Sequence, residues 1–268
     1  MRKPRHGDAG KMRMSNMTLA EQYKNQLRWR NQDANIQKLP VNPRHTVLDL
    51  GCSIGGVSKL LAQKTQQVIG IDNNPELLRI AKNEFSAKNI TYYLADLKNL
   101  HALHLAQVDG IWSSFVVSYF PDFATVLATW LKLIKPGGWI AIQEMSGLFD
   151  HDPLSPDTKE IFKTYSNMQR NKNQYDFEMG RRLKSFLHQA GLEIIHEEIL
   201  PDNELTFNGP AYDNIRLAWE HRFDRMHKFQ KYLGNNRFQS IKTEFINCLI
   251  DDNHTSNTRV FFYIARLN

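Results

Sequence analysis

Between Thr46 and Leu200, short apolar runs alternate with amphipathic segments, and this alternation restricts the fold more than any other feature of the chain. The runs, in order, are VLDL, VIGID, ITYYLA, VDGIWSS and WIAIQEM, and the segments between them have helical periodicity. Strands and helices that alternate over short connections are typical of parallel βαβ units. We therefore expect an α/β fold with a doubly wound, mostly parallel sheet that helices cover on both faces.

Three segments precede or interrupt this alternation of strands and helices, and we expect them to form helical caps on the sheet. They are residues 18–40, 146–180 and 201–256. The last segment contains two predicted helices, Tyr212 to Tyr232 and Phe238 to Ile250, and is followed by a closing strand with the sequence VFFYIARL. We expect residues 1–17 to form a flexible tail and residues 18–268 to form one domain with its caps.

Composition excludes several classes of protein. Hydrophobic residues make up 41% of the chain and charged residues 23%, which is the balance of a chain that folds. No apolar run approaches the roughly 20 residues needed to cross a bilayer, so we expect a cytoplasmic protein with no membrane partner. The two cysteines, Cys52 and Cys248, are too far apart to form a thiol metal cluster by themselves, and no metal site is predicted.

The stretch VLDLGCSIGGVSKLLA is a strand, a glycine-bearing turn and a helix. In such a turn Gly51 permits a sharp bend, and Gly55 keeps side chains out of the space that a ligand needs. Asp72 follows about 20 residues later, at the end of the next strand, where a carboxylate can accept both hydroxyls of a ribose. These features also fit a dinucleotide enzyme, but G-x-G-x-x-G is absent and the acidic Asp49 before the turn favours a cationic ligand.

At these residues the chain resembles the class I S-adenosylmethionine-dependent methyltransferases, whose first motif runs acidic, apolar, Gly, x, Gly, x, Gly. Four further pieces follow in the order of that family: Asp72, the LADL that contains Asp96, VDGIWSS, and LKPGGWIAIQE. The resemblance implies a Rossmann-like, seven-stranded methyltransferase fold with S-adenosylmethionine as cofactor. Ser53 departs from the pattern, because it stands where the family usually has the middle glycine.

The resemblance also implies which residues contact the cofactor. They are Asp49, Gly51, Cys52, Ser53, Gly55, Asp72, Asn73, Asp96, Leu97, Ser113 and Ser114. Those of the glycine turn would shape the methionine pocket, and Asp72 would bind the ribose. Asn73, Asp96 and Leu97 would surround the adenine, and the two serines would lie near the transferring methyl group.

Methyl transfer from a sulfonium needs positioning and exclusion of water more than it needs an enzyme nucleophile. An acceptor that carries a proton needs a general base in addition. Glu144 is the first candidate, because ligands of such sheets lie at the carboxyl ends of the strands, and Tyr119 and His151 are further candidates. Aromatic residues of the caps are predicted to form the acceptor pocket, namely Tyr23, Trp29, Tyr175, Tyr212 and Trp219.

Three functions remain open at this point. The first is a methyltransferase, monomeric or homodimeric, that acts on an O, N or C atom of a small molecule. The second is a tRNA or rRNA methyltransferase, which the sequence disfavours because Ser113 to Val116 replace the Asn/Asp-Pro-Pro-aromatic motif of base methylation and the nearest cysteine belongs to the turn. The third is a protein that binds the cofactor without catalysis.

Overall fold

The computed structural model describes residues 18–268, and its centre is a seven-stranded sheet. The strands are β1 (Thr46–Leu50), β2 (Gln67–Asp72), β3 (Ile90–Leu94), β4 (Val108–Ser114), β5 (Ile134–Ser146), β6 (His151–Asp152), β7 (Glu193–Leu200), β8 (Thr255–Ser256) and β9 (Arg259–Arg266). Their order in the sheet is β3-β2-β1-β4-β5-β9-β7, and β6 pairs separately with β8. The fold predicted from the alternation is confirmed. The predicted tail, residues 1–17, lies outside the described residues.

Ten α-helices surround the sheet in the described part of the chain. They are α1 (Leu19–Trp29), α2 (Gln32–Gln37), α3 (Gly56–Ala62), α4 (Pro75–Glu84), α5 (Phe123–Leu131), α6 (Pro156–Asn171), α7 (Met179–Gln189), α8 (Asp213–Asp224), α9 (His227–Leu233) and α10 (Asn235–Leu249). None of those in residues 18–268 combines the length and apolarity that a membrane span requires.

Parallel pairing dominates the sheet, and the last strand is the exception. β1 pairs in parallel with β2 on one side and with β4 on the other, whereas β9 is antiparallel to both β5 and β7. The central strands are buried almost throughout, which is why VLDL and VDGIWSS read as apolar runs without alternation. Since the chain winds in opposite directions from β1, a crevice opens at the carboxyl ends of β1 and β4.

The caps differ in detail from the predicted helices. The cap predicted over residues 18–40 is two helices, because Asn31, whose φ of 44° lies in the left-handed region, separates α1 from α2. The two helices predicted in residues 201–256 are three, because the first, predicted from Tyr212 to Tyr232, is interrupted at Arg225 and Met226 between α8 and α9. The polar segment after β5 contains the 16-residue α6, which begins where Ser155 caps the backbone N–H of Thr158.

The second and third cap segments pack on one another through aromatic rings. Phe149 and Phe162 stack with ring centroids 4.3 Å apart, and Phe229 and Phe245 of the third segment lie against them. The small β6-β8 sheet joins the same two segments. They therefore form one layer, although about 100 residues separate their contacting parts.

A buried histidine pair lies at this junction. Nδ1 of His151 is 2.9 Å from Nε2 of His254, and His254 also contacts the carbonyl of Gly209 at 3.0 Å. His151 is fully buried and packs on Trp219 and Phe245. Burial lowers the pKa of His151 to about 3, so the folded chain keeps this imidazole neutral at ordinary pH.

We expect the His151 pair to make stability pH-dependent below about pH 6.5, because the unfolded chain then gains a proton that the folded chain excludes. Acidification should therefore lower the free energy of unfolding, since the unfolded state binds more protons than the folded state. One proton corresponds to about 1.4 kcal/mol per pH unit, or roughly 2 kcal/mol between pH 6.5 and pH 5. Denaturant unfolding at pH 7.5 and pH 5 should show a smaller acid loss in His151→Gln than in the unmodified chain.

The matched control is His101→Gln, because His101 is exposed. This variant should retain the full loss of unfolding free energy at pH 5. Equal losses in all three proteins would contradict the assignment of a neutral buried pair.

Candidate functional site

A cavity of about 390 Å³ lies at the carboxyl ends of β1, β2 and β4. One part of its wall is the segment after β1 together with the ends of β2 and β4. Another part is α1 and the start of α2, which contribute Tyr23, Gln26, Arg30 and Gln32. Nine of the residues predicted to contact the cofactor line this cavity: Asp49, Gly51, Cys52, Ser53, Asp72, Asn73, Asp96, Leu97 and Ser114.

The glycine turn brings bare backbone to the cavity. Gly51 has a φ of 78°, and a Cβ built there would lie 2.2 Å from a methyl carbon of Val116. Gly55 has a φ of 81°, and its Cβ would lie 2.3 Å from the hydroxyl of Tyr92. Both positions therefore require glycine for conformation and for space. Gly55 is not among the residues that line the cavity, so it shapes the loop without facing the ligand space.

Ser53, which stands where the family usually has the middle glycine, has a left-handed backbone conformation. Its φ is 51°, a left-handed value that is uncommon for a residue with a Cβ. Its backbone N–H donates to Oδ2 of Asp72 at 2.8 Å, which holds the loop against β2. Its Oγ is buried at the cavity and has no hydrogen-bond partner within residues 18–268. The loop is thus formed despite the substitution, and it offers a polar atom to a ligand.

Two aspartates occupy different positions at this loop. Asp49 is buried and accepts a hydrogen bond from Ser58 Oγ at 2.6 Å, and burial raises its pKa to about 7. Asp72 is half-buried, and its two oxygens accept from the backbone N–H groups of Ser53 and Asn74 at 2.8 and 2.9 Å. Each of its oxygens has a further lone pair, so this carboxylate can still accept ligand hydroxyls. Burial raises the pKa of Asp72 as well.

The remaining predicted cofactor residues divide between the cavity and the core. Asp96 is exposed at the cavity, where Oδ1 accepts from the backbone N–H of Lys98 at 2.9 Å. Ser114 lines the cavity and donates to Oε1 of Gln143 at 3.2 Å. Ser113 is fully buried and donates to the carbonyl of Leu50 at 3.2 Å, so it braces β4 against β1 and does not face the cavity.

Arg30 is a cavity residue that sequence reasoning missed. Its guanidinium carbon lies 3.8 Å from the centroid of the Phe115 ring. Among the described residues that line the cavity, it is the single lysine or arginine. No pattern in the sequence separates Arg30, the residue that ends α1, from Arg28 of that helix, which is exposed. Only the docking of α1 on the sheet makes the distinction.

Arg30 is held by a buried acidic pair from the third cap segment. Its Nε donates to Oδ2 of Asp202 at 3.3 Å, and one terminal nitrogen lies 3.5 Å from Oε2 of Glu204. Glu204 also accepts from Gln26 Nε2 at 3.3 Å and pairs with Arg222. Burial by itself would raise the pKa of Glu204, but Arg222 and Arg30 lower it below its ordinary value. This carboxylate therefore stays charged. The network therefore connects the third cap segment to the cavity wall.

Gln32 and Phe115 were also missed. Nε2 of Gln32 donates weakly to Ser114 Oγ at 3.4 Å, while its Oε1 is buried without a hydrogen-bond partner in the described chain. Phe115 has a φ of 56°, which is unusual for a bulky residue and occurs where the surroundings enforce it. Both residues line the cavity, so the unpaired Oε1 of Gln32 and the left-handed backbone of Phe115 belong to its wall.

The structure separates the three predicted bases. Glu144 is fully buried, and its two oxygens accept from the backbone N–H groups of Ser118 and Met145 at 3.0 and 2.9 Å. Burial raises the pKa of Glu144 to about 7, but the side chain is not among those that line the cavity. His151 lies in the cap junction, which removes it from the candidates. Tyr119 alone of the three lines the cavity.

The predicted acceptor aromatics are dispersed as well. Tyr23 lines the cavity, and Tyr175 makes an edge contact with Tyr119 at 5.0 Å between centroids. Trp219 is fully buried, and its Nε1 donates to the backbone carbonyl of Glu204 at 2.9 Å. It therefore helps to hold the backbone of the acidic pair and does not face the cavity. Trp29 packs against the core, and Tyr212 is 81% exposed, which places neither at the cavity wall.

Comparison with known proteins finds similarity to methyltransferases. A family profile described as a methyltransferase domain matches residues 48–142. Trans-aconitate 2-methyltransferase of Azoarcus sp. is 34% identical over 110 residues, which are 40% of this chain and 42% of that protein. A ubiquinone biosynthesis O-methyltransferase of Thiobacillus denitrificans is 32% identical over 96 residues, covering 35% of this chain and 41% of the relative. The chain thus matches about two fifths of the length of these relatives.

Solved structures share the fold over most of the chain. A cyclopropane synthase from Mycobacterium tuberculosis has a TM-score of 0.59 at 16% identity, covering 95% of this chain and 87% of that one. A phosphoethanolamine N-methyltransferase from Haemonchus contortus, solved with S-adenosyl-L-methionine, has a TM-score of 0.52 at 21% identity and covers 88% and 52%. The chain is thus similar to methyltransferases over residues 48–142 and shares its fold with these solved structures.

Proposed function

We propose that this chain transfers the methyl group of S-adenosylmethionine to an O, N or C atom of a small molecule. The observation that carries the proposal is the single cavity whose wall includes both the glycine turn with Asp72 and the polar and aromatic residues of α1. A methyl donor at the turn and an acceptor at Tyr23 and Tyr119 would share that space. Methyl transfer requires such juxtaposition, because the acceptor atom must approach the methyl carbon in line with the breaking bond to sulfur.

The cavity fits the cofactor in three respects. Gly51 brings bare backbone to the cavity wall, and a Cβ there would collide with Val116 of the same wall. Asp72 keeps lone pairs for the two ribose hydroxyls, and the buried oxygens of Ser53 and Gln32 have no partner in residues 18–268. Asn73, Asp96 and Leu97 remain our assignments for the adenine end, and Asp49 for the side of the ammonium group. When bound, the cofactor supplies an electrophilic methyl group on a sulfonium that is already an activated leaving group.

Arg30 is our assignment for the carboxylate of the methionine part. A guanidinium has five N–H donors, and the contacts of Arg30 to Asp202 and Glu204 use Nε and one terminal nitrogen. The other terminal nitrogen can pair with a ligand carboxylate. Because Phe115 and the acidic pair fix the guanidinium plane, little side-chain freedom is lost on binding.

The caps support a small-molecule acceptor. Tyr23, Phe115 and Tyr119 give the acceptor side of the cavity aromatic walls. A cavity of about 390 Å³ with a single cation among its described lining residues suits a small acceptor better than a nucleic acid, whose backbone needs an open basic surface. The predicted monomer or homodimer and the cytoplasmic location stay predictions.

An incubation with radiolabelled S-adenosylmethionine separates the candidate functions. A low-molecular-weight extract of the source cells and total RNA are supplied as alternative acceptors. We expect counts in the small-molecule fraction. Counts confined to RNA would favour the nucleic-acid alternative, and cofactor binding with no transfer to either would favour a non-catalytic protein.

Asp72→Asn should raise the Kd of S-adenosylhomocysteine about tenfold or more, since the amide replaces one of the oxygens assigned to the ribose. Calorimetry measures the Kd, and circular dichroism checks that the variant is folded. Asp109→Asn is the control, because this aspartate pairs with Lys135 away from the cavity. An unchanged Kd in folded Asp72→Asn would contradict the ribose assignment.

Arg30→Gln should weaken S-adenosylhomocysteine about tenfold or more, because a charge-assisted hydrogen bond to the carboxylate is lost. Binding of 5′-methylthioadenosine, which has the same adenosine but no amino acid, should change little. Arg30→Lys should give an intermediate Kd, since it keeps the charge without the planar fork. Equal weakening of both ligands would indicate damage to the cap and would contradict the assignment.

A further inference from the structure

A short segment between β4 and α5 supplies part of the cavity wall. It covers residues 115–120, and we call it the β4-α5 segment. Its residues that line the cavity are Phe115, Val116, Tyr119 and Phe120. The segment begins in an unusual conformation, because Phe115 has a φ of 56°. A bulky residue keeps such a backbone only where its surroundings enforce it, and positions of this kind are concentrated at functional sites.

Hydrogen bonds from β5 and from the second cap segment hold the β4-α5 segment. The backbone N–H of Phe115 donates to the carbonyl of Gln143 at 2.8 Å. Ser118 is held at both of its backbone groups. Its N–H donates to Oε2 of Glu144 at 3.0 Å, and its carbonyl accepts from the backbone N–H of Asp176 at 2.8 Å. The position of the segment is therefore fixed from two sides.

Glu144 makes its contact to the segment with a side chain, whereas Gln143 and Asp176 use their backbone groups. The side chain of Glu144 is fully buried, and its second oxygen accepts from the backbone N–H of Met145 at 2.9 Å. Burial of a carboxylate is costly, and hydrogen bonds to its oxygens offset that cost. An apolar side chain of the same size would avoid the cost but would leave the N–H of Ser118 without an acceptor.

The contact at Ser118 determines where Tyr119 lies. Residues Val117–Tyr119 form one 3₁₀ turn, in which the N–H of Tyr119 donates to the carbonyl of Val116 at 3.1 Å. Because the turn is this short, fixing the backbone of Ser118 fixes the direction in which the side chain of Tyr119 leaves the backbone. The ring of Tyr119 lines the cavity and makes an edge contact with Tyr175 at 5.0 Å between centroids.

Resting on the proposed methyl transfer, we propose that Glu144 is a positioning residue, which holds Ser118 so that Tyr119 stays at the acceptor side of the cavity. Glu144 is not among the residues that line the cavity, so it acts through Tyr119. The role has consequences for the reaction, because a misplacement of about 1 Å at the reacting groups can slow a reaction roughly a hundredfold.

Variants of Glu144 test the role. Glu144→Met keeps the length of the side chain and removes both acceptor oxygens. At saturating radiolabelled S-adenosylmethionine, its rate of transfer to the low-molecular-weight extract should fall about tenfold. Glu144→Gln retains one acceptor oxygen and should lose less. The Kd of S-adenosylhomocysteine should stay nearly unchanged in both variants, because the residues assigned to the cofactor lie outside the β4-α5 segment.

A double-mutant cycle measures whether Glu144 acts through Tyr119. Tyr119→Ala should lower the rate of transfer about tenfold by itself. If Glu144 acts by placing Tyr119, the double variant Glu144→Met, Tyr119→Ala should also be about tenfold slower than the unmodified chain. Independent effects would multiply to about a hundredfold. A purely structural role of Glu144 gives the second result.

Glu244→Met is the matched control. Glu244 is also a carboxylate that accepts a backbone N–H, that of Ser155 at 2.8 Å, and it does not line the cavity. Its loss should leave the rate of transfer unchanged. Circular dichroism checks that each variant is folded, and Glu144→Gln takes the place of Glu144→Met in the cycle if the latter does not fold.

Three results would overturn the positioning role: an unchanged rate in the folded variants of Glu144 or in Tyr119→Ala, an equal loss in Glu244→Met, and multiplied losses in the double variant. Each of them leaves methyl transfer by the unmodified chain in place. Absence of transfer by the unmodified chain would instead overturn the proposed function and the positioning role with it. The two failures are therefore distinguishable.

Discussion

The hydrogen bond from the backbone N–H of Ser53 to Asp72 is the contact on which the site depends. It joins the loop after β1 to the end of β2, so that the glycine turn stays open beside a carboxylate. Gly51 makes the turn possible, because a side chain there would collide with Val116. A residue with a Cβ can then occupy position 53 in a left-handed conformation, since the loop is fixed at both ends.

The second constraint is the buried acidic pair, Asp202 and Glu204, which lies far along the chain from α1 and contacts it directly. Buried carboxylates are costly unless cations neutralise them, and Arg30 and Arg222 supply that neutralisation. The same pairing fixes Arg30 at the cavity wall. Packing of the caps and the electrostatics of the cavity are therefore set by one network.

Local residue order was enough to predict much of the cofactor end. The turn, Asp72 and Asp96 follow successive parallel strands, and the carboxyl ends of such strands meet at one edge of the sheet. The acceptor end was predicted less well. Glu144 follows the same strand rule, yet its side chain satisfies backbone N–H groups in the core. His151 has Asp150 and Asp152 as its neighbours in the sequence, but its own side chain is fully buried.

The sequence by itself determined the doubly wound sheet, the glycine turn and the resemblance to known methyltransferases, because periodicity and spacing act over a few neighbouring residues. The tertiary structure decided which cap residues reach the cavity. Arg30 and Asp202 are 172 positions apart and His151 and His254 are 103 apart, so no local pattern records their pairing. Their contacts arise from burial of aromatic and charged side chains between cap segments, and such packing is fixed only when the whole chain is folded.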